Sequence, residues 1–270
     1  MNLIIIAGMI LGILGFTFGM LLAFSARKFA VKMDPRVSSI MGALPGVNCG
    51  ACGYPGCPGY AEAIVHDGAS VNKCTVGGHE TAEAIGKIMG KDAGGAKKFV
   101  AFVKCRGDKQ NCPDSSKYKG INDCEAVALM GMGYKSCRYG CFGLGNCVTV
   151  CPFDAIIIEK HSNIPKVLVE KCTGCGLCAS ACPRHIIEIV PGDKTVHIAC
   201  LSKDKGADVR KICKVGCIAC SICVKICPQN AITIIDNCAQ INYELCNDCG
   251  LCAQKCPTKS IAHTKALSLF

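Results

Sequence analysis

Cys172-Thr-Gly-Cys175-Gly-Leu-Cys178-Ala-Ser-Ala-Cys182-Pro183 is the stretch on which the reading of this chain turns. Four cysteines fall within eleven residues, and the last is followed by proline. The same C-x2-C-x2-C-x3-C-P spacing returns at Cys217 to Pro228 and Cys246 to Pro257, and a looser version runs from Cys137 to Pro152. Thiols this dense either cross-link a chain or hold metal. Disulfide scaffolds belong to small secreted domains, whereas this chain has 270 residues and its start, Met1-Asn2, lacks the basic residues of a secretory signal. Zinc sites commonly join two separated cysteine pairs or recruit histidines. Here His66, His79, His161, His185, His197 and His263 show no mutual spacing and read as surface or structural residues.

Tight runs closing on Cys-Pro are the ligand pattern of iron–sulfur clusters and resemble those of bacterial two-cluster ferredoxins. In that pattern three thiolates of a run hold one 4Fe-4S cluster, and the cysteine before proline reaches the partner cluster. The crossover groups Cys217, Cys220, Cys223 and Cys256 in one site, and Cys246, Cys249, Cys252 and Cys227 in another. Cys172, Cys175, Cys178 and Cys151 make a third. The implied chemistry is one-electron transfer along a chain of clusters.

An internal repeat underlies these sites. Cys124, Cys137, Cys141, Cys147 and Cys151 are separated by 13, 4, 6 and 4 residues, and so are Cys200, Cys213, Cys217, Cys223 and Cys227. Each run precedes a short β-prone segment: Ala155–Ile158, Ile186–Ile189, Ala231–Ile234 and Ser260–Ala262. The expected fold class is therefore α+β, with two tandem two-cluster ferredoxin-like modules over residues 136–192 and 193–264. Modules this small have thin cores, so bound clusters should supply much of their folding free energy.

The two copies differ at one ligand. Leu144 stands where the repeat has Cys220. Cys137, one helical turn before Cys141, offers a substitute and would give the set Cys137, Cys141, Cys147 and Cys182. The alternative is a three-iron cluster on Cys141, Cys147 and Cys182. Cys105, Cys112, Cys124, Cys200, Cys213 and Cys238 are left over, either as buried thiols or as the source of a sixth cluster.

Towards the N-terminus, Leu3 to Phe24 carry no charge and one hydroxyl, Thr17. At 1.5 Å per residue they span about 33 Å, enough for a hydrocarbon core. Arg27, Lys28, Lys32 and Arg36 follow, so the positive-inside rule puts the N-terminus outside and the rest in the cytoplasm. Gly8, Gly12, Gly15 and Gly19 share one helical face of the kind that lets membrane helices approach closely. The reading assigns residues 1–25 to a single transmembrane helix and 26–45 to a basic connector. Residues 46–104 form a four-iron domain in which Cys49, Cys52, Cys57 and Cys74 are spaced C-x2-C-x4-C-x16-C, with helical stretches at Tyr60–His66 and Glu80–Met89. Residues 105–135 are a connector without assigned role.

The formal charge of +10 would ordinarily point to nucleic acid or an anionic surface. A 4Fe-4S core with four thiolates carries about −2, so five sites contribute about −10 and offset that excess. With no Trp and 6% aromatics, stacking platforms for nucleic acid are scarce as well, and no nucleic-acid partner is expected.

The glycine-rich apolar helix, the loop Asn48-Cys49-Gly-Ala-Cys52-Gly-Tyr-Pro-Gly-Cys57 and the ferredoxin repeats together resemble the B subunit of the Rnf complex over essentially the whole length. The resemblance supports Cys49, Cys52, Cys57 and Cys74 as ligands, and Tyr139-Gly-Cys-Phe-Gly-Leu-Gly-Asn-Cys147 as a family variant with Cys137 as ligand. It implies five 4Fe-4S clusters in a subunit that takes electrons from soluble ferredoxin. Its partners would be the other membrane and peripheral subunits of a translocase coupling ferredoxin:NAD electron transfer to Na+ or H+ movement. No stretch resembles a flavin or nicotinamide site, so the subunit has no catalytic site of its own beyond electron transfer. A membrane-anchored redox adaptor without ion transport is the competing reading.

Overall fold

The computed structural model describes residues 2–29, 34–95, 97–131, 133–159 and 162–263. Lys32, His161 and residue 264 lie outside them. Helix α1 runs Asn2–Lys28, and its Ile4–Lys28 span, with a mean hydropathy of 2.4, is long and apolar enough to cross a membrane. It buries nothing against the rest of the chain, and Arg27 and Lys28 occupy its last turn. A Cβ placed on Gly8, Gly12, Gly15 or Gly19 would meet no atom within 4 Å.

Three helices build the four-iron domain: α2 (Pro35–Ala43), α3 (Gly56–His66) and α4 (Gly78–Met89). Asp34 caps α2 by accepting the Arg36 N–H at 2.8 Å, and Pro35 occupies the first turn, where no N–H is needed. Gly90, at φ 65, ends α4 in the left-handed conformation. Val37, Ile40 and Leu44 are buried against Tyr60, Ile64 and Ile85. Residues 26–45 are therefore more than a connector, because α2 forms one wall of this core.

Module 1 contains β1 (Phe99–Val103), α5 (Cys124–Leu129), α6 (Asn146–Thr149), β2 (Ile156–Ile158), β3 (Pro165–Val167), α7 (Leu177–Ser180) and β4 (Ile187–Pro191). Module 2 contains β5 (Val196–Ile198), α8 (Gly206–Ile212), α9 (Ile222–Ile226), β6 (Ile232–Ile235), β7 (Cys238–Ile241), α10 (Leu251–Lys255) and β8 (Ile261–His263). Both follow one plan. A hairpin stands behind the first cysteine run, β2–β3 or β6–β7. The strand behind the second run then pairs antiparallel with the strand that opens the module. Phe99 lies opposite Pro191 and Val103 opposite Ile187, while Val196 lies opposite His263.

This pairing moves a boundary. Phe99–Val103, expected at the end of the four-iron domain, is a strand of module 1, because its apolar residues pack on Ile186 and Val190 beneath the cysteine runs. In each module the opening strand is followed by an insertion before the first run, and every leftover cysteine except Cys238 lies in one of these insertions.

The modules meet across several contacts. The Phe102 and His197 rings lie 4.5 Å apart, and Arg138 pairs with Asp204 at 2.8 Å. The Lys214 N–H donates to the Asn111 carbonyl at 2.8 Å. His197 is buried, with Nδ1 at 2.9 Å from the Tyr243 hydroxyl and Nε2 at 3.1 Å from the Lys194 carbonyl. Burial lowers its pKa, in keeping with a structural role for this histidine.

Candidate iron–sulfur sites

Each run bends twice through left-handed backbone. The positions are Gly143 and Gly145, Gly174 and Gly176, Ala219 and Ser221, and Asp248 and Gly250. A third such residue follows every Cys-Pro: Asp154, His185, Asn230 and Lys259. Bends of this kind turn successive N–H groups towards the sulfurs, a concavity suited to anions. The Asp248 N–H lies 3.4 Å from Cys246 Sγ, and those of Ala155 and Ala231 lie 3.4 Å from Cys151 and Cys227. Neighbouring strands add donors: Ala101 N–H to Cys172 at 3.3 Å and Ala239 N–H to Cys217 at 3.5 Å.

The thiols gather around cavities. Cys151, Cys172, Cys175 and Cys178 line one of about 300 Å³. Cys49, Cys52, Cys57 and Cys74 line another of about 320 Å³, shaped by Asn48, whose side chain accepts the Cys57 N–H at 2.8 Å. Tyr60 closes its floor; its hydroxyl donates to the Ser70 carbonyl at 2.7 Å, and burial pushes its pKa up to about 12. In module 2, Cys217, Cys223 and Cys252 are buried in the core with Cys227 and Cys256 packed on them. Cys246 is half-buried, and Cys220 and Cys249 reach the surface.

All 26 cysteines are free thiols in the structure. Among the described residues no three His, Cys, Asp or Glu side chains converge on a single-ion position. The thiols ring spaces instead, the arrangement a cluster needs and a lone zinc ion does not. Burial pushes Cys178 up to about 12 and Cys223 and Cys252 up to about 11. Ligation therefore displaces protons, and loading should be coupled to proton release. The donor set and the inward N–H groups fit 4Fe-4S clusters.

The altered site departs from expectation. Cys141, Cys147 and Cys182 share a cavity of about 390 Å³, but Cys137 is not among its lining residues and the remaining thiol there is Cys124. The one-turn argument for Cys137 fails because residues 137–145 form turns broken by Gly140, Gly143 and Gly145 rather than a helix. Cys124 is placed by Asn146, whose Oδ1 accepts the Cys124 N–H at 2.8 Å while its Nδ2 donates to Asp123 at 3.0 Å. Asp123 in turn caps α5 by accepting the Ala126 N–H at 2.7 Å. The sequence signal for this was the repeat itself, in which position 124 is as regular as position 137.

Two ferredoxin-plan modules and a helical cluster domain, behind one membrane-length helix, define a multi-cluster iron–sulfur electron carrier. Comparison with known proteins agrees. An Fe-S cluster family model matches residues 44–76, and 4Fe-4S dicluster domain models match residues 134–183 and 216–260. The B subunit of the Na(+)-translocating ferredoxin:NAD(+) oxidoreductase complex of Acetobacterium woodii is 46% identical over 262 residues, covering 97% of this chain and 78% of the relative. The B subunit of the ion-translocating oxidoreductase complex of Methanosarcina acetivorans is 39% identical over 248 residues, covering 92% and 94%. The B subunit of the proton-translocating ferredoxin:NAD(+) oxidoreductase complex of Clostridium ljungdahlii is 40% identical over 264 residues, covering 97% and 93%. The chain belongs to the Rnf-type family of ion-translocating oxidoreductase complex B subunits.

Proposed function

We propose that this chain takes electrons from reduced soluble ferredoxin and relays them to the other redox subunits of a membrane complex. That complex couples ferredoxin:NAD electron transfer to Na+ or H+ movement. The A. woodii and C. ljungdahlii relatives carry that activity in their names, one with sodium ions and one with protons. The reading rests chiefly on a series of thiol-lined cavities within one folded body.

Bound 4Fe-4S clusters supply one-electron couples. We assign five ligand sets, three supported by shared cavities and two by the cysteine pattern: Cys49, Cys52, Cys57 and Cys74; Cys151, Cys172, Cys175 and Cys178; Cys124, Cys141, Cys147 and Cys182; Cys217, Cys220, Cys223 and Cys256; and Cys227, Cys246, Cys249 and Cys252. The sets adjoin. Cys49 lies within electrostatic reach of Cys175, and Cys147 within reach of Cys178. Exposed Cys220 and Cys249 make module 2 the face open to a soluble donor. The four-iron domain, joined to α1, is the exit towards membrane partners. α1 anchors the chain with its N-terminus outside and the cluster domains in the cytoplasm. A single helix offers no ion path, so translocation belongs to other subunits.

The full chain, purified anaerobically with its clusters, should be reduced by reduced ferredoxin, read by freeze-quench EPR as its own reduced-cluster signals grow while the donor's fall. Reduction by dithionite but not by reduced ferredoxin would remove the entry role.

A further inference from the structure

The cysteines outside the five sets do not scatter through the fold. Cys105, Cys112, Cys137, Cys200 and Cys213 line one cavity at the joint between the modules. Cys105 and Cys112 come from the module 1 insertion. Cys137 and Cys213 are equivalent positions of the internal repeat, so the duplication delivers the same thiol twice to one place.

The backbone here repeats the device seen at the ferredoxin runs. There the N–H two residues on faces the sulfur: Gly143 to Cys141, Leu177 to Cys175 and Ala219 to Cys217. In the joint, Gly107 faces Cys105, Tyr139 faces Cys137 and Val215 faces Cys213. The Cys137 N–H faces Cys112. Gly107 is tightly fitted: a Cβ there would lie 3.0 Å from the Cys112 Cβ, 3.6 Å from Cys213 Sγ and 3.7 Å from Cys105 Sγ.

A cation is buried beside these thiols. Lys135 is 4% exposed, and its Nζ donates to the carbonyls of Gly107 at 2.9 Å and Cys112 at 3.4 Å, with Asp114 at 3.8 Å. Burying an ammonium is costly unless it is compensated. One partly exposed carboxylate at 3.8 Å compensates weakly, whereas an anionic cluster of about −2 would do so strongly. Cys200 also lines the cavity, but its sulfur is paired with a thiol outside it: Cys238 Sγ donates to the Cys200 sulfur and, at 3.3 Å, lies against the Cys200 carbonyl.

We propose that Cys105, Cys112, Cys137 and Cys213 hold a sixth 4Fe-4S cluster at the joint between the two modules. The proposal rests on the reading that places Cys124 rather than Cys137 in the module 1 site. The cluster bridges the series: the Cys141 N–H of module 1 faces Cys105 Sγ, and Cys213 stands one interval of the repeat before Cys217 of module 2. Cys200 and Cys238 remain buried thiols.

The test is iron, zinc and acid-labile sulfide analysis of the full chain purified anaerobically, together with spin quantitation of the reduced protein by EPR. Six clusters give about 24 iron and 24 sulfide per chain. Cys112→Ser and Cys213→Ser should each bring iron down to about 20, or to about 23 with a new three-iron signal on oxidation, while Cys238→Ser keeps about 24. A wild-type count near 20, zinc at the joint, or a Cys112–Cys213 disulfide found by mass spectrometry would overturn the proposal. Should a variant not fold, the wild-type count and spin number still decide. About 24 iron in a protein that ferredoxin does not reduce would spare the sixth site and remove the entry role; about 20 in a protein that ferredoxin does reduce would do the reverse.

Discussion

Modules 1 and 2 share a strand plan and a cysteine repeat, yet each secures its second cysteine run to its opening strand differently. In module 2, Asp248 lies between the first two cysteines of that run and reaches β5 with its carboxylate. It accepts the Thr195 N–H at 2.9 Å, the Thr195 hydroxyl at 2.5 Å and the Val196 N–H at 2.9 Å. In module 1 the equivalent residue is Gly174, and the backbones themselves meet: a Cβ on Gly174 would lie 2.6 Å from the Phe99 carbonyl oxygen. The first runs differ as well. In the sets proposed above, the first run of module 2 contributes Cys217, Cys220 and Cys223 to its own site, whereas that of module 1 has Leu144 at the middle position and Cys124 from the insertion completes the set. Duplication kept the cage and let each copy find its own way to close it.

The sharpest test exchanges the two copies at one repeat position. Cys124→Ser should remove four irons, or one with a three-iron signal left behind, while Cys200→Ser should leave iron unchanged. Leu144→Cys in the Cys124→Ser background restores the module 2 pattern and should recover the lost iron. Equal iron loss from Cys124→Ser and Cys200→Ser would mean that the modules are wired alike.

Closure of the second runs comes next. Gly174→Ala adds a left-handed penalty of about 1–2 kcal/mol to the displacement of β1, and should lower the melting temperature of the iron-loaded chain. Asp248→Ala removes charge-assisted hydrogen bonds worth about 1.5–3 kcal/mol each, discounted for partial exposure. Desolvation raises the Asp248 pKa, but the hydrogen bonds from Thr195 and Val196 outweigh it and leave the value lowered. Its contribution is therefore complete above its unfolded pKa, about 4, and fades as pH falls through the folded value. Acid titration of wild type against Asp248→Ala should converge below that point; parallel curves would show that the carboxylate does not tie the run to β5.

The smallest effect is expected at Asn146, whose repeat equivalent in module 2 is Ile222. Asn146→Ile should cost about 1–3 kcal/mol by freeing the Cys124 N–H and Asp123, and should make the module 1 cluster more labile to chelator. Unchanged lability would show that α5 holds Cys124 without this contact.

Much of this was legible in the sequence. The Cys-Pro runs, the strands behind them, α4 and the apolar α1 all carry local signals: fixed spacing, β-branched triplets and uninterrupted hydropathy. What escaped was non-local. β1 lies beside a Gly- and Lys-rich stretch and becomes a strand because β4 pairs with it. Cys124 and Cys137 were equally regular, and only the turns at Gly140 and Gly143 decide which sulfur faces which cavity. The joint draws its thiols from stretches spread over more than a hundred residues, and no spacing rule links them.

The opening strand of each module pairs with its last strand, and this has a consequence for synthesis. β4 begins at Ile187 and β1 ends at Val103, so at 5–20 residues per second β1 waits on the order of ten seconds for its partner. Cys182 and Cys213 are each made after the other sulfurs of their proposed sets. Maturation of this chain is thus governed from its C-terminal side: nascent thiols must be kept reduced and unspent until the closing strands arrive, and a stalled ribosome would leave a string of reactive sulfurs rather than a partly working wire.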